Sequence, residues 1–251
     1  MNIITLTEEN LEREHICCAI SNNNDCQVSS KKAWLRERIS EGLVFKKCDV
    51  RGKCFIEYIP AEKAWAPVDA DGWMYIDCLW VSGQFKGHGY SSLLLDECIS
   101  DSKAKGRKGL VILSSKKKCG FLADSEFLLH KGFEKADSAP PYFELYCLKF
   151  DRNAASPSFK ACVKTPSSPA EGLALYYTSQ CPFTAKYVPV VEACARERGV
   201  PLRTIHIETA EQAQSSPSPF TTYSLYKDGS FITHEILSDK KFLKILDELG
   251  Y

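Results

Sequence analysis

Apolar and polar positions recur along this chain with two periods, and the switches between them divide it into elements. Residues 3–6 are a short apolar run that suits a strand. Thr7 is placed to cap a helix reaching about Ile20, and the polar stretch 21–28 reads as turns. Ser30 is placed to cap a second helix, with Leu35 and Ile39 on one face and Gly42 as its stop. Three β-rich runs follow, at 43–50, 53–59 and 73–81. They are separated by Arg51-Gly52 and by Pro67-Val68-Asp69-Ala70-Asp71-Gly72, both of which are turn chemistry. In 90–105, Leu94, Leu95, Cys98 and Ile99 recur at helical spacing. Residues 110–113 suit a buried strand, 121–131 a helix stopped by Gly132, and 133–137 and 142–150 two closing strands.

The stretch 151–170 changes character. It holds Pro157, Pro166 and Pro169 among many Ser and Ala, and reads as a linker. A second unit then spans 171–251. It has a strand at 173–177, a helix at 181–198 with Pro182 near its start, a strand at 202–207 and a short helix at 209–214. Hairpin strands at 220–226 and 231–236 and an amphipathic helix at 239–249 complete it. The pattern is that of an α/β (α+β) chain in two units, 1–150 and 171–251.

Composition narrows the classes. The chain is 44% hydrophobic and 25% charged, ordinary values for a globular protein. Its 32 basic residues balance 32 acidic ones, so no global field draws it to nucleic acid or to a membrane surface. No apolar run approaches the ~20 residues that span a bilayer, and the acidic N-terminal stretch is unlike a signal peptide. Twelve cysteines are present without one Cys-x-x-Cys pair, which argues against a zinc site. They read as reduced, mostly buried thiols of a cytoplasmic protein.

Chemistry concentrates at Val81-Ser82-Gly83-Gln84-Phe85-Lys86-Gly87-His88-Gly89-Tyr90-Ser91, a strand followed by a glycine loop and a helix start. Glycines let backbone approach a ligand, and the unpaired N–H groups of a helix start, with the helix dipole, favour a diphosphate. Lys86 adds a mobile positive charge. The loop is neither a P-loop nor a Rossmann turn, because neither spacing is present.

This segment resembles the GNAT superfamily of N-acetyltransferases, whose signature is Gln/Arg-x-x-Gly-x-Gly/Ala. Gln84-x-x-Gly87-x-Gly89 fits it, and a second register fits from Val81, with Lys86 in place of Arg. Lys131-Gly132-Phe133 resembles the family's Gly-Phe after its fourth helix. The resemblance implies a mixed central sheet over residues 1–150 and acetyl-CoA as cosubstrate. It implies that the diphosphate lies over Gln84, Lys86, Gly87, His88, Gly89, Tyr90 and Ser91. The pantetheine arm would pair with Leu79, Trp80 and Val81 where the family's fourth strand splays from its fifth, with Ser114 across the split.

An amine of pKa ~10.4 is neutral in about 1 molecule in 2500 at pH 7, a cost of roughly 4–5 kcal/mol, so a base is useful. Asp77, on the strand entering the loop, is the first candidate, with Glu57 and Glu144 as alternatives. The tyrosine with which many GNAT members protonate the leaving thiolate is replaced by Leu128. Tyr142, Cys119, Ser125 and His130 are possible substitutes.

The second unit's element order resembles a thioredoxin or glutaredoxin fold, with Cys181-Pro182-Phe183-Thr184 where those proteins carry Cys-Pro-x-Cys and Pro219 where they carry a cis-proline. A cysteine at a helix start is a reactive-thiol candidate. The next one, Cys194, is about 20 Å away at ~1.5 Å per helical residue, beyond the ~7 Å that a disulfide allows. Cys181 is therefore at most a monothiol site. The joined arrangement resembles bacterial GNAT proteins with a YoaP-like C-terminal segment. Three readings follow: an N-acetyltransferase acting on a small-molecule or peptide amine, as monomer or homodimer; a redox or thiol-carrier protein using Cys181 with a CoA-binding sensor; and a CoA-binding protein without catalysis.

Overall fold

The computed structural model describes residues 1–20, 22–165 and 168–251; Ser21 and Pro166 of the segments above lie outside them. β1 (Ile3–Thr5) is followed by turns rather than by the helix expected over 7–20. The Asn10 side chain bonds the Thr5 carbonyl and the Thr7 N–H, a local alternative to helical bonding. His15 then ties the segment to the Val50 carbonyl, while Leu11, Ile16 and Cys17 are buried. Helix α1 (Cys26–Ser40) begins at Asp25, whose carboxylate accepts from Gln27 N, so Ser30 lies inside the helix rather than at its cap.

The first half continues with β2 (Val44–Cys48), β3 (Cys54–Pro60), the two-residue β4 (Val68–Asp69) and β5 (Met74–Val81). Then come α2 (Tyr90–Ala104), β6 (Gly109–Ser115), α3 (Ser125–His130), β7 (Glu134–Ala139) and β8 (Phe143–Lys149). Seven strands form one mixed sheet in the order β1-β2-β3-β5-β6-β8-β7, antiparallel except where β5 meets β6. On one face Met74, Ile76, Leu94, Leu128 and Phe133 form a core under α2 and α3; on the other Phe45, Phe55, Trp73 and Leu145 form a second one, which includes Leu35 of α1.

Two irregularities open this sheet. Asp77 is an extra residue in β5, between Cys78, opposite Glu57, and Ile76, opposite Tyr58. At the same height β5 parts from β6: their pairing covers only Met74–Ile76 against Leu110–Ile112, while both strands run on to Val81 and Ser115. The parting is the one that the family resemblance implies.

The segment 151–165 packs against the first half. Its β9 (Ser158–Phe159) pairs antiparallel with β4, Phe159 and Val163 are buried in the core shared with α1, and Lys164 Nζ holds Asp137. Beyond it are β10 (Leu173–Tyr177), α4 (Pro182–Glu197), β11 (Leu202–His206), α5 (Ala210–Gln214), β12 (Tyr223–Lys227), β13 (Ser230–Thr233) and α6 (Asp239–Glu248). Their sheet runs β11-β10-β12-β13, parallel between β10 and β11 and antiparallel elsewhere. The cis peptide among the described residues is Pro140–Pro141, so Pro219 is trans. A turn built by the Ser218 hydroxyl, which accepts from Phe220 N, shapes that corner instead. No helix among the described residues is long and apolar enough to cross a membrane.

The two halves share a face. α4 packs against α1, Thr221 Oγ1 donates to the Trp65 carbonyl, and Gln214 Nε2 donates to the Ala64 carbonyl at 3.1 Å. Tyr142 Oη donates to Nδ1 of His234 at 2.6 Å, and Nε2 of His234 donates to the Gly120 carbonyl at 2.8 Å. Burial holds the His234 pKa below its ordinary value, which keeps the ring neutral in this bridge.

Close packing beside the parallel pair makes one glycine sensitive. A methyl group at Gly109 would overlap the Leu148 carbonyl and the Trp73 ring. Gly109→Ala is expected to cost about 1–3 kcal/mol in urea unfolding; an unchanged midpoint would show that β6 and β8 are not packed in this way.

Candidate functional site

The site is built where β5 ends. Gly83, Gly87 and Gly89 take φ of +62°, +80° and +77°, and a Cβ added at any of them would meet no atom within 4 Å. The loop backbone therefore lies open. Gly89 is also the N-cap of α2, with no side-chain cap on the helix's first N–H groups. Gln84, Lys86 and His88 are exposed, and the His88 ring stacks on Tyr90 at 5.8 Å. An open glycine backbone at an uncapped helix start fits a diphosphate.

Leu79 and Val81 lean toward the α2 side of β5, and Trp80 leans to the other. Across the parting Ser114 is buried, and its hydroxyl donates to the Ala123 carbonyl at 2.8 Å. On the Trp80 side lies a cavity of about 420 Å³, within the range of small-molecule sites. Both halves line it. Phe55, Glu57, Asp77, Cys78 and Trp80 come from β3 and β5; Gln180, Cys181 and Phe183 come from the start of α4; and Pro219 and Phe220 come from the loop before β12.

The cavity floor is ionic. Lys31 Nζ lies 2.8 and 2.6 Å from the two Glu57 oxygens, both side chains being fully buried. Burial opposes the Lys31 charge, but Glu57 outweighs it and holds the ammonium above its ordinary pKa. Burial, with the Glu57 charge second, pushes the Asp77 carboxyl well above the usual range. Its only side-chain partner among the described residues is Gln180, whose Nε2 donates to Oδ1 at 2.9 Å. Gln180 is itself held by Thr222 Oγ1, which donates to its Oε1 at 3.2 Å.

The remaining candidates are spread around this centre. Burial pushes the Cys181 thiol up to about 11, opposite to the lowered value expected at a helix start, even though the Phe183 N–H favours the thiolate. Thr184, in the place of a second thiol, donates to the Thr178 and Cys181 carbonyls. Tyr142 is engaged by His234, and burial, then Cys119, raises its hydroxyl to about 12. Cys119 lies on the loop after β6, and Leu128 is fully buried under the sheet. Glu144 accepts from Tyr146 at 3.0 Å and from Lys135 at 3.3 Å, and Glu57 is taken by Lys31.

Sequence reading missed Lys31, Cys18, Gln180 and Phe220 as cavity residues. One signal was present: Glu57 stands in Cys-Phe-Ile-Glu-Tyr-Ile, an otherwise apolar strand, and a lone buried carboxylate demands a cation. Lys31→Met would leave Glu57 buried and unpaired, with an expected loss of about 3–5 kcal/mol in urea unfolding. Lys31→Met with Glu57→Gln should recover most of that loss; equal loss in single and double variants would contradict the pairing.

Comparison with known proteins places the chain. The profile of a family described as YoaP-like matches residues 201–244. Over 251 residues, 100% of each chain, it is 44% identical to a Bacillus subtilis (strain 168) protein named uncharacterized N-acetyltransferase YoaP. Similar solved structures include a PaiA N-acetyltransferase from Thermoplasma acidophilum in complex with coenzyme A. It is 18% identical, with a TM-score of 0.41, and the match covers 60% of this chain and 100% of that one. Another is a GNAT family acetyltransferase from Brucella melitensis in complex with acetyl-CoA, 17% identical, with a TM-score of 0.37, covering 64% of this chain and 96% of that one. With full-length identity at that level to the Bacillus subtilis protein, the chain belongs to the YoaP family of N-acetyltransferases.

Proposed function

We propose that the protein transfers the acetyl group of acetyl-CoA to the amine of an acceptor held between its two units. One observation carries this reading: β5 and β6 part beyond Ile76 and Ile112, with the open glycine loop at one end of the gap and the cavity on its other side. In this reading the diphosphate rests on the backbone from Lys86 to Ser91, beside Gln84. The pantetheine arm follows Leu79, Trp80 and Val81, with Ser114 on the far edge acting as wall, since its hydroxyl is already committed.

Asp77 is the proposed base. A carboxyl held well above the usual range is matched to proton transfer near neutral pH, and Asp77 borders the cavity. The acceptor ammonium gives one proton to the Asp77 carboxylate. Its nitrogen lone pair then forms the N–C bond to the thioester carbonyl carbon as the C–S bond breaks. The second nitrogen proton goes to the departing sulfur, so the products are the N-acetyl amine, CoA thiol and one proton held on Asp77. A CoA thiol leaves without much help from an acid, which accommodates Leu128 in the tyrosine's place. Tyr142 and Cys119 border the far side of the Gly120 loop as secondary candidates.

Residues 171–251 are proposed as a thioredoxin-like unit, a reading supported by their strand order and by Pro182 at the start of α4. Its role is to close the acceptor site with Gln180 and Phe183. The raised thiol of Cys181 favours this over redox work. The twelve free thiols support a reducing, cytoplasmic setting.

Two variants test the reading. Gly89→Glu should weaken acetyl-CoA binding in titration calorimetry by at least about 100-fold, by placing a side chain and a negative charge where the diphosphate rests; unchanged affinity contradicts the loop assignment. Asp77→Asn should lower kcat by about 10²–10⁴ and remove the acidic limb of the pH–rate profile, while a retained limb would pass the proton role to another group.

A further inference from the structure

We propose that the acceptor is a small primary monoamine with an aromatic body, its ammonium on Asp77 and its ring between Phe183 and Phe220. This deepens the acetyl-transfer reading and rests on it.

The charge inventory of the cavity limits the acceptor to one cation and no anion. The lining holds two carboxylates, Glu57 and Asp77, and one ammonium, Lys31. Lys31 is consumed by Glu57, both of whose oxygens lie within 2.8 Å of Nζ. That pair is self-neutral, and a substrate carboxylate would find no free cation there. Asp77 remains, with a single hydrogen bond from a neutral amide. One ammonium would complete it as an ion pair in a site largely removed from water. A second ammonium, as in a polyamine, would be buried without a partner, and so would the carboxylate of an amino acid.

Lys53 does not alter this count. It is not among the lining residues, and its Nζ stands 4.3 Å from the centre of the Trp80 ring and 5.4 Å from that of Phe183, within cation–π range of both.

The remaining walls are mostly apolar, with Thr221 and Thr222 among them, and come from both units. Phe55, Trp65 and Trp80 face Phe121, Phe183 and Phe220 around about 420 Å³. Flat rings in such a space bury large apolar area and stack or meet edge to face. Trp80 and Phe183 already meet edge to face at 6.5 Å. A protein N-terminus would need an open groove for its continuing chain, whereas Gln180 of the second unit, braced by Thr222, bonds Asp77 itself. Transfer to this acceptor forms one N–C bond, breaks the thioester C–S bond, and leaves the N-acetyl arylalkylamine and CoA thiol.

The test uses the full chain with acetyl-CoA, reading thiol release and product mass against 2-phenylethylamine, tryptamine, spermidine, phenylalanine and a short peptide beginning with alanine. The expected kcat/KM for the two arylalkylamines exceeds that for each of the other three by at least about 100-fold, the scale of one unpaired buried charge. Phe183→Ala and Phe220→Ala are expected to raise the KM for 2-phenylethylamine at least about tenfold with little change in kcat. Spermidine, phenylalanine or the peptide matching or exceeding the arylalkylamines would overturn the acceptor class while leaving acetyl transfer standing. No acetylation of any amine, with acetyl-CoA bound in calorimetry, would overturn both.

Discussion

Two carboxylates and one ammonium share one cavity, and the rest of the site follows from that imbalance. Lys31 and Glu57 neutralise each other beneath the sheet. Asp77 is left over because the bulge in β5 adds one residue opposite Glu57 and turns its side chain toward the same space. A half-buried carboxylate with one amide partner is costly unless it is protonated or joined by a cation. Its raised pKa is the first solution, and a bound ammonium is the second. In the proposed reading the same carboxyl serves as anchor and as proton acceptor, two roles that require the same position.

The second unit closes over that position. Gln180 reaches Asp77 across 103 residues of sequence, Thr221 bonds the Trp65 carbonyl, and His234 bridges Tyr142 and the Gly120 carbonyl. The segment 158–163 helps fix this closure by pairing β9 with β4 and burying Phe159 and Val163. Where a dithiol would place its reactive sulfur in solvent, the start of α4 instead turns Cys181 into a cavity wall and raises its pKa by burial. In the proposed reading, a unit whose element order resembles a redox module is used for its shape.

Much of the fold was legible from local rules. Apolar period and turn residues located most strands and helices to within a few positions, and the glycine loop was readable because Gly87 and Gly89 take the positive φ that glycine permits. The helix expected over 7–20 failed because the Asn10 side chain competes for the backbone and His15 ties the segment to Val50. The start of α1 shifted because Asp25, five residues ahead of Ser30, is the residue that caps. Asp77 was legible as a candidate from its strand, but its partners were not. The pairing of Lys31 with Glu57 and the aromatic walls from Phe183 and Phe220 depend on how two units meet, which no local pattern encodes.

The most direct test of the central claim, that one cavity built by both units is the acceptor site, is a crystal structure of the full chain with coenzyme A and 2-phenylethylamine. The account predicts the diphosphate on the loop from Lys86 to Ser91, the amine nitrogen within hydrogen-bond distance of Asp77, and the ring against Phe183 and Phe220. An amine bound elsewhere, or a second unit lifted away from Asp77 with both ligands in place, would contradict it.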